Sequence, residues 1–141
     1  MSERMARGRA AAQEILLWHL GRLDRAMAHS AVRRLPEELL DGERLEVVGV
    51  GQIPRSGDEA RPFQNAEFAV VAATDRRFLI VSRVRVEALA YSVITSVAVE
   101  SRNGGSRLIV AIRDGTTREF ASIRPTPARA NELATAIEGH R

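Results

Sequence analysis

The chain has no cysteine and no lysine. Without cysteine there can be no disulfide, thiolate zinc site or cysteine nucleophile. The same absence fits a reducing compartment, so a cytoplasmic location is expected. Without lysine, all 21 basic side chains are arginine. No apolar run approaches the ~20 residues that a membrane-spanning helix needs. The N-terminus lacks the charged start, apolar block and cleavage site of a secretory signal.

Histidines are scarce: only His19, His29 and His140 occur. A zinc or histidine-based site needs histidines and carboxylates to converge, and no spacing here supports that, so neither a metal site nor histidine catalysis is expected. Gly49-x-Gly51 lacks the third glycine of a dinucleotide fingerprint, and a Pro-containing loop follows it where a helix would be needed. It reads as strand-end geometry. Ser92, Thr95, Ser96, Thr116 and Thr117 stand in strand or turn contexts, and no strand–elbow–helix surrounds a serine. These residues therefore point to no cofactor and no metal, and no small-molecule substrate is inferred from them.

A length of 141 residues fits one domain or one domain with a short appendage, long enough for a single core. Charge divides the chain. Residues 1–36 hold seven arginines against Glu3, Glu14 and Asp24, a net of +4. Residues 37–141 hold fourteen arginines against fifteen acidic residues, a net of −1. A nucleic-acid domain carries its basic surface on the folded part; here that part is near neutral, which argues against a nucleic-acid partner.

From Arg9 to about Arg34 the pattern is helical. Leu16, Leu20, Leu23 and Met27 fall on one face, with Ile15 and Leu17 widening the stripe. Gly21 weakens this helix by roughly 1 kcal/mol relative to alanine. "LPEELLDGE" reads as a short helical turn with Pro36 as its first residue and Gly42 as its end. After Gly42 the period changes to that of strands, expected at 43–51, 66–73, 76–82, 84–91, 93–101, 107–112 and 116–121. Residues 52–65 read as a long loop. Asn103-Gly104 and Asp114-Gly115 are hairpin signals whose turn needs positive φ at both central residues. Thr74-Asp75-Arg76 between two apolar strands reads as a hairpin turn with solvated arginines. The last element is a helix with Thr126 as N-cap, Pro127 first, an apolar face of Ala130, Leu133, Ala134 and Ile137, and Gly139 at its end.

Seven strands followed by one capping helix is the layout of a pleckstrin-homology-like (PH-like) barrel, and the local sequence agrees. "LLDGERLEVVGVG", "VVAATDRRFLIVS" and "AYSVITSVAVE" resemble successive stretches of bacterial PH-like domains of the YokE type, and GRAM domains share a similar turn. The likeness covers residues 37–141. The expected fold class is α+β, mainly β: a PH-like seven-stranded antiparallel barrel or sandwich capped by a C-terminal helix. Residues 1–36 would add a basic amphipathic helical extension.

This resemblance implies a binding module rather than an enzyme. Lipid-gripping PH domains place basic residues in and around the first strand, where this chain offers Arg44, Arg55 and Arg61; their Lys-x-Arg pattern is absent. Arg76, Arg77, Arg83 and Arg85 form either an anion patch or an outer face neutralised by Asp75 and Glu87. On strand alternation Arg83 and Arg85 would point the same way. The N-terminal stripe of Ile15, Leu16, Leu20, Leu23 and Met27, together with Trp18, is the candidate interface. It could pack back on the barrel, pair with a second copy or another protein, or lie on an anionic membrane surface. The leading reading is an adaptor for a protein partner or a homo-oligomer. The alternative is an anionic-lipid binder working at the membrane periphery.

Overall fold

A computed structural model describes residues 29–54, 66–102, 105–122 and 127–141. Its elements are helix α1 (His29–Glu38), strands β1 (Leu45–Pro54), β2 (Ala66–Thr74), β3 (Arg77–Ser82) and β4 (Val86–Ala90), a 3-10 turn (Tyr91–Val93), strands β5 (Ile94–Arg102), β6 (Gly105–Ile112) and β7 (Thr117–Ser122), and helix α2 (Pro127–His140).

The strands form one antiparallel sheet in the order β4-β3-β2-β1-β7-β6-β5. Every neighbour pair except β1–β7 is consecutive in the chain, the usual arrangement for sequential antiparallel strands. β1 and β7 meet over two residue pairs only, Gly51↔Ser122 and Gln52↔Ala121. This seam needs glycine at position 51. A Cβ on Gly51 would stand 2.2 Å from the Ala121 carbonyl oxygen and 2.5 Å from the Phe120 ring. Gly49 and Gly51, read as strand-end geometry, lie within β1, and Gly51 serves a close approach of two strands.

The sheet wraps around one core, in which Val71, Phe78, Ile80, Leu108, Val110 and Phe120 meet Ala130, Leu133 and Ile137 of α2. Ala130, Leu133 and Ile137 recur at helical spacing and are fully buried, so one face of α2 caps the wrapped sheet. Among the described residues no ladder joins β4 to β5; the 3-10 turn connects these edges.

A second core lies on the outer face of β1 to β3. Val48, Val50, Val70, Ala72, Leu79 and Val81 pack there against Ala31, Leu35 and Leu39 of the α1 segment. This explains why β2 and β3 read as continuous apolar runs: Val71 and Phe78 face inward while Val70 and Leu79 face outward, and all four are buried. Strands covered on both faces lose the polar alternation of a half-exposed sheet.

Several boundaries differ from expectation. The helix passes through Pro36 and so spans residues 36 and 37. Proline costs an interior helix one hydrogen bond, normally about 3 kcal/mol. Burial of Leu35, Pro36 and Leu39 opposes that cost, each buried leucine being worth roughly 1.5–3 kcal/mol. β1 runs three residues into the expected loop, ending at Pro54 opposite Ala66. β4 begins at Val86, because Ser82 to Arg85 is a turn held by the Ser82 hydroxyl, which accepts from the N–H groups of Val84 and Arg85. The Asp114-Gly115 turn has positive φ only at Gly115, +92°. Its Gly115 N–H bonds the Ile112 carbonyl, and the Asp114 carboxylate accepts from the Thr116 N–H. α2 continues through Gly139 to His140. Asn103, Gly104 and Thr126 lie outside the described residues.

Candidate functional site

The polar centre of the described fold is the Thr74–Arg77 turn. The Thr74 hydroxyl accepts from the N–H groups of Arg76 and Arg77 at 3.1 and 3.0 Å, the local side-chain closure that threonine favours at turns. It donates to Glu43 Oε2 at 2.7 Å. Asp75 Oδ1 accepts from the Arg44 N–H at 2.8 Å, and the Asp75 N–H returns a bond to the Arg44 carbonyl at 3.0 Å. The turn is thus stitched to the chain entering β1.

Glu43 is buried at its centre. Its Oε1 accepts from the Leu40 N–H at 2.9 Å and from Arg77 Nη2 at 3.0 Å, while Oε2 accepts from Arg77 Nε at 2.9 Å. Arg77 Nη2 also reaches the Glu38 carbonyl at the end of α1, at 2.7 Å. A helix leaves its last carbonyls without internal partners, and Arg77 satisfies one of them. Burial alone would push the Glu43 carboxyl upward. Hydrogen bonds from Arg77, Leu40 and Thr74, with the Arg77 charge, hold it below the ordinary carboxylate range. One carboxylate therefore joins α1, β1 and the β2–β3 turn.

A second knot surrounds Tyr91. Its hydroxyl donates to the Thr74 carbonyl at 2.5 Å, and burial, then the nearby Glu46 charge, raise its pKa far above the usual phenol value. The ring stacks on His140 with centroids 4.5 Å apart, and His140 Nε2 contacts Glu46 Oε1. The aromatic of the "AYSVITSV" stretch is thus a packing residue that ties α2 to β1.

The expected basic residues divide by environment. Arg77 turns inward and is engaged by Glu43. Arg85 lies in the Ser82–Arg85 turn; its Nε approaches Glu67 Oε1 obliquely at 2.8 Å, and its Nη2 donates to the Pro54 carbonyl. Arg83 is exposed, and its carbonyl accepts from Arg34 Nη1. Strand alternation therefore does not place Arg83 and Arg85 on a common face, since neither is in a strand. Arg76 is exposed. Arg44 is 81% exposed and only 3.8 Å from Asp75 Oδ2, a contact that solvent weakens. Arg55, Arg61, Ile15, Leu16, Trp18, Leu20, Leu23 and Met27 lie outside the described residues.

Sequence reasoning passed over Glu43 and the Arg118–Glu87 pair. The latter is bidentate, with Nε–Oε1 at 2.6 Å and Nη2–Oε2 at 2.9 Å, and it spans β7 and β4. Glu43 follows Asp41-Gly42 in a turn and looks solvated; the one available signal was the Thr-Asp-x-Arg turn, whose hydroxyl and guanidinium needed an acceptor. Among the described residues no group of three or more His, Cys, Asp or Glu could hold a metal ion.

No family model and no curated protein matches the chain. Among solved structures, the chain is similar to one in the crystal structure of human RhoA in complex with the DH/PH fragment of PDZRhoGEF, with a TM-score of 0.56 and 10% identity. The match covers 97% of this chain and 39% of that one. At such low identity the likeness concerns the fold, which is PH-like: seven antiparallel strands and a C-terminal helix.

Proposed function

We propose that the chain is a non-catalytic, cytoplasmic PH-like binding module that engages a protein partner or a second copy of itself. The fold supports this reading, and so does the solved neighbour, a DH/PH fragment bound to a protein, RhoA. The observation that carries it is the pairing of the arginines. Arg77, Arg85, Arg107 and Arg118 each meet a carboxylate. The exposed Arg76 and Arg83 stand at opposite ends of β3. Apart from Arg44 beside Arg76, the exposed arginines of the described sheet stand apart from one another, so no broad cationic surface forms there for an anionic headgroup. The N-terminal stripe of Ile15, Leu16, Leu20, Leu23 and Met27 supplies the apolar contact, with Trp18 beside it.

One feature favours lipid as the second reading. Arg44 and Arg76 project from adjoining turns, Arg76 Nη2 lying 3.4 Å from where a Cβ on Gly42 would stand, and Arg55 and Arg61 would add to them. Two measurements separate the readings. Light scattering on the full chain and on Leu16→Asp/Leu20→Asp should show association that the substitutions remove, or pull-down should find a protein ligand that they release. Co-sedimentation with phosphatidylserine vesicles at low salt should be negligible. Salt-sensitive vesicle binding, lost in Arg44→Glu/Arg76→Glu, would replace the adaptor reading with the lipid one.

A further inference from the structure

α1 does not cover the whole outer face on which it sits. Its direction is fixed at two points: Arg77 Nη2 bonds the Glu38 carbonyl at 2.7 Å, and Arg34 Nη1 bonds the Arg83 carbonyl at 3.2 Å. The helix therefore starts at the β3–β4 turn end of the sheet and finishes at the β2–β3 turn end. At the starting end two large apolar side chains are open, Phe68 at 42% and Val84 at 68% exposure. Phe68 shares the outer face with Val70 and Ala72 by strand alternation and lies opposite Gln52. Val86, half-buried, belongs to the same outer cluster. The apolar ground under α1 thus continues past the helix's first residue.

The chain arrives at this same end. Residues 1–28 precede His29 and contain the stripe of Ile15, Leu16, Leu20, Leu23 and Met27. We infer that Phe68 and Val84 are the docking ground for that stripe of the chain's own N-terminal segment, continuing the α1 interface. The tether is two residues from Met27, so the effective concentration is in the millimolar range or above for a short linker, about what a weak apolar contact needs. Arg25 falls opposite the stripe, and Arg22 lies two turns from Ile15 at the stripe's edge, where its long stem lets the guanidinium stay in water. This goes beyond the adaptor reading: a partner or second copy that uses the stripe must first displace it from Phe68 and Val84.

The lack of cysteine makes a direct test available. In the full chain, Leu23→Cys places a single thiol on the stripe, and Ser2→Cys gives a reference thiol off it. Docking predicts that the Leu23→Cys thiol reacts with a disulfide reagent about tenfold more slowly than the reference, the factor that corresponds to about 1.4 kcal/mol. Adding Phe68→Ser and Val84→Asp should restore the reference rate while the far-UV circular dichroism of the folded protein is kept and the unfolding free energy falls by no more than the docking contribution, about 1.4 kcal/mol. The slow rate should be independent of protein concentration. Three results overturn the inference: a thiol as fast as the reference, as expected if the chain between Pro54 and Ala66 covers the patch; a slow thiol that the patch substitutions leave slow; or protection lost on dilution, which would assign the patch to a second copy.

Discussion

Arg77 grips Glu43 in two parallel hydrogen bonds, Nε to Oε2 at 2.9 Å and Nη2 to Oε1 at 3.0 Å, between residues 34 positions apart in the chain. The Glu43 side chain is fully enclosed while that of Arg77 keeps 20% exposure. Such a pair gains little over a well-packed apolar substitute, but breaking it from one side leaves a buried charge unmatched, at about 3–5 kcal/mol. Arg77→Ala should therefore lower unfolding free energy by roughly that amount. The double variant Arg77→Leu/Glu43→Leu should cost less than the two single changes added together. Urea denaturation of the parent, Arg77→Leu, Glu43→Leu and the double variant measures the coupling; strict additivity would show that the two groups do not act as a unit.

The same carboxylate gives stability a pH dependence of definite sign. Glu43 is held below its ordinary value of 4.5 in the fold. A group with a depressed folded pKa contributes stability above its unfolded pKa and loses it as pH falls through the folded one. The urea midpoint should hold steady down to about pH 4.5 with respect to Glu43, then fall more steeply in the parent than in Glu43→Gln. Glu43→Gln should be less stable at neutral pH, because Gln offers one acceptor oxygen where four donors converge. Parallel pH profiles for the two proteins would remove Glu43 from the acid response.

Gly51 tests the seam between the two halves of the sheet. A methyl group there meets backbone at 2.2 Å as well as the Phe120 ring, so rotamer changes alone cannot relieve the clash. Overpacking a core typically costs 1–3 kcal/mol, occasionally more, and the backbone contact puts Gly51→Ala at or above about 3 kcal/mol. Gly139→Ala, where nothing lies within 4 Å of the new Cβ, should be neutral or slightly stabilising, since the position is helical. Thermal melts of the pair give the comparison; equal midpoints would mean that β1 and β7 can separate without penalty.

The strands were legible because turn chemistry punctuates them: Thr74-Asp75, Asn103-Gly104 and Asp114-Gly115 each stand between two apolar segments that do pair. The fold class followed from that series and the Ala130–Leu133–Ile137 face. What the sequence hid depends on tertiary partners. Pro36 signals a helix start, and only the sheet under Leu35 and Leu39 makes a helix through it tolerable. Val84 and Arg85 belong to a valine-rich run, yet Ser82 closes a turn across them. Glu43 sits among charged residues, and its burial follows from an arginine 34 positions away. Arg77 and Arg85 looked like part of a site because their carboxylate partners lie in distant stretches of the chain: Glu43 for Arg77, Glu67 for Arg85.

Leu35 decides whether α1 belongs to the folding unit or only rests on it. It is fully buried between Ala31 and Leu39, against strands whose outer face is valine, alanine and leucine. Large-to-small changes at such sites cost about 2–5 kcal/mol, because the cavity collapses only in part. Leu35→Ala should lower unfolding free energy within that range and keep a single transition, since Arg77 links the helix end to the β2–β3 turn. Arg33→Ala, on the exposed face of the same helix, should stay within about 0.5 kcal/mol of the parent. Hydrogen exchange adds the local view. Amides of α1 should exchange at the global rate in the parent and faster than the β2 and β3 amides in Leu35→Ala. An α1 that exchanges quickly in both proteins, with an unchanged urea midpoint for Leu35→Ala, would show that the second core contributes nothing to holding the sheet.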